Sequence, residues 1–292
     1  MKKQFEILDT YQDFLGYWAT ARVKPVYEQI CLWQSSYMNK YQELFIKQVQ
    51  SYTTENKTWQ DIAQQVFSSF PARQPLMRKA RDNILTTFEF VCTQAFTTLG
   101  IDFDIILVVY VGIGCGAGWA TKYTGKPAIL LGLENIAEEH WHTKTKLQGL
   151  ISHEIGHLAH MEWRDGRGIS EEKEPDPLFQ LYREGFAQRC EHLTMGDGKW
   201  HMAPNKEWIF WCEKNKQWLA AEFLNRLSTK ASVKDFFGSW FDIRGKKQTG
   251  YFLGYTFISE LERTYSLKEM AVLERTEVRE LAVEYLYSLS KD

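Results

Sequence analysis

The chain has 292 residues, 44% of them hydrophobic and 15% aromatic, with eleven tryptophans and a formal net charge of −2. That is enough apolar material to bury a large core as one domain or two closely packed subdomains. The near-zero charge, with both signs interspersed, argues against a nucleic acid or an anionic membrane as partner.

The amino terminus (Met1-Lys-Lys-Gln-Phe-Glu-Ile-Leu-Asp) lacks the apolar run of a secretory signal. No stretch of eighteen apolar residues offers a membrane span. Five scattered cysteines (Cys31, Cys92, Cys115, Cys190 and Cys212) read as reduced thiols, and the expected location is cytoplasmic.

Residues 1–99 read as a helical amino-terminal region. Between Tyr27 and Val49 the residues Ile30, Trp33, Tyr37, Tyr41, Leu44 and Phe45 fall near one stripe. Thr58 is placed to cap a short helix reaching Phe70, and Pro75 to start a long one ending near Gly100. The pattern changes at Gly100. Residues 101–111 are β-branched and apolar, as in a buried strand; 127–133 read as a second strand and 118–123 as a third.

The run Val111-Gly-Ile-Gly-Cys-Gly-Ala-Gly118 lacks the spacing of a dinucleotide-binding loop, and a turn between strands is the preferred reading. His140 and His142 read as surface residues, with His160 also near enough in sequence to support a metal site.

The segment Lys144–Met161 contains no proline and spaces Leu147, Leu150, Ile151, Ile155, Leu158 and Ala159 as a helix does. It carries His153-Glu154-Ile155-Gly156-His157. Histidines four apart stand on one helix face, where both imidazoles can bind one metal ion. Glu154 can then reach a metal-bound water without being a ligand, which pairs a Lewis acid with a base. Catalytic zinc usually takes three protein ligands. A histidine six positions beyond His157 would serve, but Trp163 stands there. Glu184 is the better candidate, 27 positions after His157 and past a charged loop at 171–177. It lies in an apolar helical stretch, 178–192, where Gly185 would let this helix approach the first.

These motifs, His153-Glu154-x-x-His157 followed by Glu184-Gly185-x-Ala187, resemble the gluzincin metallopeptidases, and within them the group described as predicted zinc-dependent proteases. The resemblance spans about residues 100–265. It implies an α+β fold, largely helical, with a small mixed sheet over the active-site helix and an edge strand that receives an extended peptide. It further implies a catalytic region at 100–292 and one Zn2+ per chain, held by His153, His157 and Glu184.

Tyr251-x-x-Gly254 resembles the segment whose tyrosine faces the metal in aminopeptidase-like members. Tyr251 is thereby the expected oxyanion donor, with Tyr255 second. Gly132-Leu-Glu-Asn135, at the end of 127–133 as the expected edge strand, resembles a motif whose glutamate grips a substrate amino group, though the residues read more simply as a strand end. Where many members place an acidic residue one turn after the glutamate ligand, this chain has Gln188, so support for the first histidine falls to Gln188, Glu191 or another group. Peptide deformylases pair a similar helix with an upstream cysteine, but Cys115 lacks their Glu-Gly-Cys-Leu context.

The expected activity is zinc-dependent hydrolysis of a peptide or protein, with Glu154 as general base. The alternatives are a catalytically silent metal-binding interaction protein and a zinc hydrolase of a non-peptide amide.

Overall fold

A computed structural model describes residues 4–52, 58–169, 175–238 and 240–291. The protein is of the α+β class, mostly helical with one small mixed sheet. It forms two compact units, residues 1–96 with 100–154, and 97–99 with 155–292. The division cuts two helices, after Phe96 and after Glu154.

The first unit contains the four-stranded sheet: β1 (Phe5–Asp9), β2 (Ile105–Tyr110), β3 (Gly118–Tyr123) and β4 (Lys126–Gly132), in the order β1-β2-β4-β3. β1, β2 and β4 are parallel, and β3 returns antiparallel against β4. All six residues of β2 are buried, which explains its unbroken apolar run. Thr124 and Gly125 both have positive φ (49° and 77°), the two-residue hairpin geometry that joins twisted strands.

Two expectations change here. Phe5–Asp9 is a strand, although the first 99 residues read as helical. Five residues show little periodicity, and their partners, Ile105–Val109, lie a hundred positions away. In addition, 127–133 does not form the sheet edge. The antiparallel return puts β4 inside the sheet and leaves β3 at its end.

The helices of this unit are α1 (Tyr11–Ala21), α2 (Val26–Leu32), α3 (Gln42–Gln50), α4 (Trp59–Ser68), α5 (Phe70–Leu99) and α6 (Leu133–Glu138). A π turn (Trp33–Tyr37) and a 3-10 turn (Met38–Lys40) interrupt the expected helix between α2 and α3. Thr58 caps α4 by accepting from the Asp61 N–H. α5 begins at Phe70 rather than Pro75. Pro71 sits in the first turn, where its missing N–H costs nothing. Phe70 is stacked on Phe67 with ring centroids 4.5 Å apart. Gly100 ends α5 in the left-handed conformation, as its position suggested.

The helix divided after Glu154 is α7 (Lys144–Asp165). The second unit continues with α8 (Pro177–Met195), α9 (Lys206–Lys214), α10 (Lys216–Thr229), α11 (Lys234–Phe237), α12 (Thr249–Leu261), α13 (Leu267–Ala271) and α14 (Arg275–Leu289). Asp176 caps α8 at the Leu178 and Phe179 N–H groups, with Pro177 at the first helical position. Of the charged loop expected before α8, residues 171–174 lie outside the described residues.

α8 meets two helices at backbone distance. On one side Gly156 of α7 faces Ala187 and Cys190; a Cβ at Gly156 would fall 2.9 Å from the Ala187 Cα. On another, Gly185 meets Gly254 of α12, where a Cβ at Gly185 would fall 2.2 Å from the Gly254 carbonyl. This corrects the role expected for Gly185. The close approach to α7 is made by Gly156, and Gly185 serves the crossing with α12.

Gly254→Ala places its Cβ 2.2 Å from the Leu181 carbonyl oxygen. Overpacking costs about 1–3 kcal/mol or more, so thermal unfolding should show a clear loss of stability. Gly16→Ala is the control: nothing lies within 4 Å of its Cβ position in α1. It should raise stability by about 0.5–1 kcal/mol, because alanine loses less chain entropy in a helix.

Candidate metal centre

α7 presents His153 and His157 one turn apart, and α8 presents Glu184. One ligand atom from each lies within 4.8 Å of the others. The His157 Nε2 and a Glu184 carboxylate oxygen are 3.3 Å apart. Both histidines are buried, and Glu184 is half-buried. Two ligands of a tetrahedral ion with bonds of about 2.05 Å stand about 3.3 Å apart, so the donor spacing fits zinc without rearrangement of that pair. Two imidazoles and one carboxylate also form a donor set that leaves the fourth position open.

Glu154 is buried, with 5% exposure. Its carboxylate lies against the backbone of Gly118, the first residue of the edge strand. A Cβ built on Gly118 would fall 2.8 Å from a Glu154 carboxylate oxygen. The sequence reading did not single out Gly118 as part of a site. Its only signal was a glycine at the start of a strand, which marks a close approach to the backbone.

The two tyrosines of α12 differ in their surroundings. Tyr251 is half-buried and lies one turn before Gly254, which faces α8. Its ring centroid is 6.2 Å from that of Phe237. Tyr255 is packed against His192 and Trp200, with centroids 4.7 and 5.3 Å away. His192 lies eight residues beyond Glu184, a rise of about 12 Å along α8.

Gln188 and Glu191 form a buried pair. The Gln188 amide donates to one Glu191 oxygen at 2.9 Å, and the other oxygen is 2.9 Å from the His201 Nδ1. His201 also stands 3.3 Å from Asp197. The Glu191 carboxylate raises the His201 pKa above its ordinary value.

His160 is enclosed by the rings of Phe179, Tyr182 and Phe186. Neither of its ring nitrogens has a hydrogen-bond partner among the described residues. Burial pushes its pKa well below the usual histidine range, so it packs as a neutral ring. His140 is exposed and His142 half-buried.

Glu134 is fully buried in the first turn of α6. It accepts the Gly112 and Gly114 N–H groups at 2.8 and 3.1 Å, and Asn135 accepts the Gly116 N–H at 3.0 Å. Burial pushes its carboxyl up to about 7, against the pull of those N–H donors. The oxygens suggested for gripping a substrate amine are thus engaged by the protein's own loop. The N–H groups that a nucleotide phosphate would need are engaged by the same contacts. Cys115 rests near Ser51 Oγ and the Gln48 carbonyl and lies outside the His–His–Glu group.

No protein-family model, curated protein or solved structure matches the chain.

The His201 contact carries a pH signature. A histidine pKa raised by folding contributes stability that is complete below the unfolded value of about 6.5 and is lost as pH rises through the folded value. Urea unfolding of the wild type and His201→Gln should therefore differ most at low pH, by about 1.5–3 kcal/mol for a hydrogen bond to a charged group. The gap should narrow above neutrality. A gap independent of pH would mean that His201 acts by packing alone.

Proposed function

We propose that the protein is a zinc-dependent peptidase of the gluzincin type. The observation that carries this reading is the convergence of His153, His157 and Glu184, with an acid, Glu154, next to the first ligand. A purely structural zinc site would fill all four positions with protein ligands and would have no use for Glu154.

His153 and His157 would hold the ion through imidazole nitrogens, and Glu184 through its carboxylate. Zinc bound there supplies a Lewis acid that acidifies water and polarises the scissile carbonyl. Glu154 takes the proton from the attacking water and returns it to the leaving amine. Its burial limits exchange of that proton with solvent. Tyr251 donates to the oxyanion, a contribution whose loss typically costs about a hundredfold or more in kcat.

The substrate is an extended peptide, bound along β3. No strand pairs with the free edge of β3 among the described residues, and backbone hydrogen bonding to such an edge recognises peptides with little regard to side chain. Gly118 brings the start of that edge to the Glu154 carboxylate. In the second unit, a cavity of about 810 Å3 has Glu184, Arg164, Arg167, Arg183 and Lys234 in its wall, a volume in the range of small-molecule sites.

A thermolysin-like arrangement of sheet and metal helix belongs to the same reading, as does a cytoplasmic location. The five free cysteines suit a reducing compartment. Among the described residues, no helix is long and apolar enough to cross a membrane.

Elemental analysis of the purified protein should find about one zinc per chain, strongly reduced in Glu184→Ala. Glu154→Gln should retain the metal and lose peptide hydrolysis by about a thousandfold or more in a peptide-library assay. Full zinc retention in Glu184→Ala would place the third ligand elsewhere. Undiminished hydrolysis in Glu154→Gln would remove Glu154 from the mechanism. Cleavage of other amides, with peptides untouched, would favour the non-peptide hydrolase.

A further inference from the structure

The connection from β2 to β3, residues 111–117, has the composition of a flexible linker, but about half of its backbone polar groups are held. The Val111 N–H donates to the Tyr37 hydroxyl, and its carbonyl accepts from Trp33 Nε1, each at 3.1 Å. The Ile113 carbonyl accepts from the Tyr52 hydroxyl at 3.1 Å. Glu134 takes the N–H groups of Gly112 and Gly114, and Asn135 that of Gly116. The Asn135 amide is oriented in turn, donating to Glu138 at 3.3 Å, and Glu138 is paired with Arg73 at 2.8 Å.

Glycine is required along this path. Gly114 and Gly116 have φ of 87° and 131°. A Cβ at Gly112 would fall 2.9 Å from a Glu134 oxygen, so the carboxylate reaches this backbone only because no side chain intervenes. Two residues after Gly116, Gly118 opens β3 in register with Leu131 and meets the Glu154 carboxylate. The position of the loop therefore sets the surface on which Glu154 rests.

We propose that Glu134, assisted by Asn135, is a positioning residue: by holding the glycine loop it sets Gly118 against the Glu154 carboxylate and so fixes where the base stands. The consequence for catalysis rests on Glu154 being that base; the clamp itself does not. The inference also gives the helical segment before β2 a task, since Trp33, Tyr37, Tyr52 and Arg73 all belong to it. A buried carboxylate is otherwise a poor choice here, because an apolar side chain would fill the space without the cost of desolvation. Its two oxygens match two N–H groups that would be left unsatisfied without it.

The test compares the zinc-loaded full chain with Glu134→Ala, Glu134→Gln and Gly118→Ala. Hydrogen exchange of residues 111–118 is followed by mass spectrometry, and the Glu154 side-chain carboxyl carbon by NMR at a single pH. The Glu154 resonance is assigned by its loss in Glu154→Gln.

In Glu134→Ala the loop amides should exchange roughly tenfold faster or more, and the Glu154 resonance should move, with zinc content unchanged. Peptide kcat should fall about tenfold or more while KM changes less, because a displaced base weakens the chemical step rather than binding. Glu134→Gln keeps one acceptor oxygen and should lie between wild type and alanine. Gly118→Ala should move the Glu154 resonance while residues 112–116 stay protected.

Wild-type exchange in Glu134→Ala would overturn the clamp. Fast exchange with an unmoved Glu154 resonance would overturn its link to the base. If Glu134→Ala does not fold, Glu134→Gln is judged by the same two readouts. Neither readout needs turnover, so a wild type without peptidase activity would overturn the peptidase reading and still leave these two to decide the clamp.

Discussion

The candidate site depends on backbone approach without intervening side chains. α8 carries Glu184, and its placement follows from Gly156 on α7 and from the Gly185–Gly254 contact with α12. Most helix pairs stand 8–10 Å apart, separated by their side chains. Where glycines face each other, the axes can come closer. A glutamate side chain on α8 then reaches the imidazole of His157, 3.3 Å away. A methyl group at either crossing would meet backbone atoms, which cannot rotate aside as a flexible side chain can.

The same device operates at Glu154, the proposed base. Glu154 would ordinarily be surrounded by side chains, but it rests on the backbone of Gly118. The edge of the sheet and the Glu154 carboxylate are thereby placed together within the first unit. A peptide paired with β3 would run past the carboxylate without a separate binding loop. Two of the buried carboxylates illustrate how such burial is tolerated. Glu134 is satisfied by glycine N–H groups, and Glu191 by Gln188 and His201. His160 is kept neutral by burial inside an aromatic cage.

Much of the local structure could be read from the chain. Thr58 and Gly100 act through the backbone groups nearest to them, so their capping roles are visible in sequence. The apolar run of β2 and the helical spacing around His153 are equally local signals. β1 was missed because a five-residue strand has no independent signature and is defined by a partner a hundred residues away. The edge of the sheet was misplaced for a related reason: strand order is a property of pairing, not of any strand's own composition. Gly185 was recognised as a contact glycine but given the wrong neighbour, since a missing side chain signals close approach without naming what approaches.

By itself the sequence determined the types of the candidate ligands, the spacing of two of them on α7 and the acid beside them, because an α-helix converts a separation of four residues into a shared face. Tertiary structure alone decided that Glu184 converges on that face, that Gly118 backs Glu154, and that Glu134 holds a loop. Each of these joins atoms from segments far apart in the chain. Their meeting depends on how helices and strands pack, and no local periodicity records that.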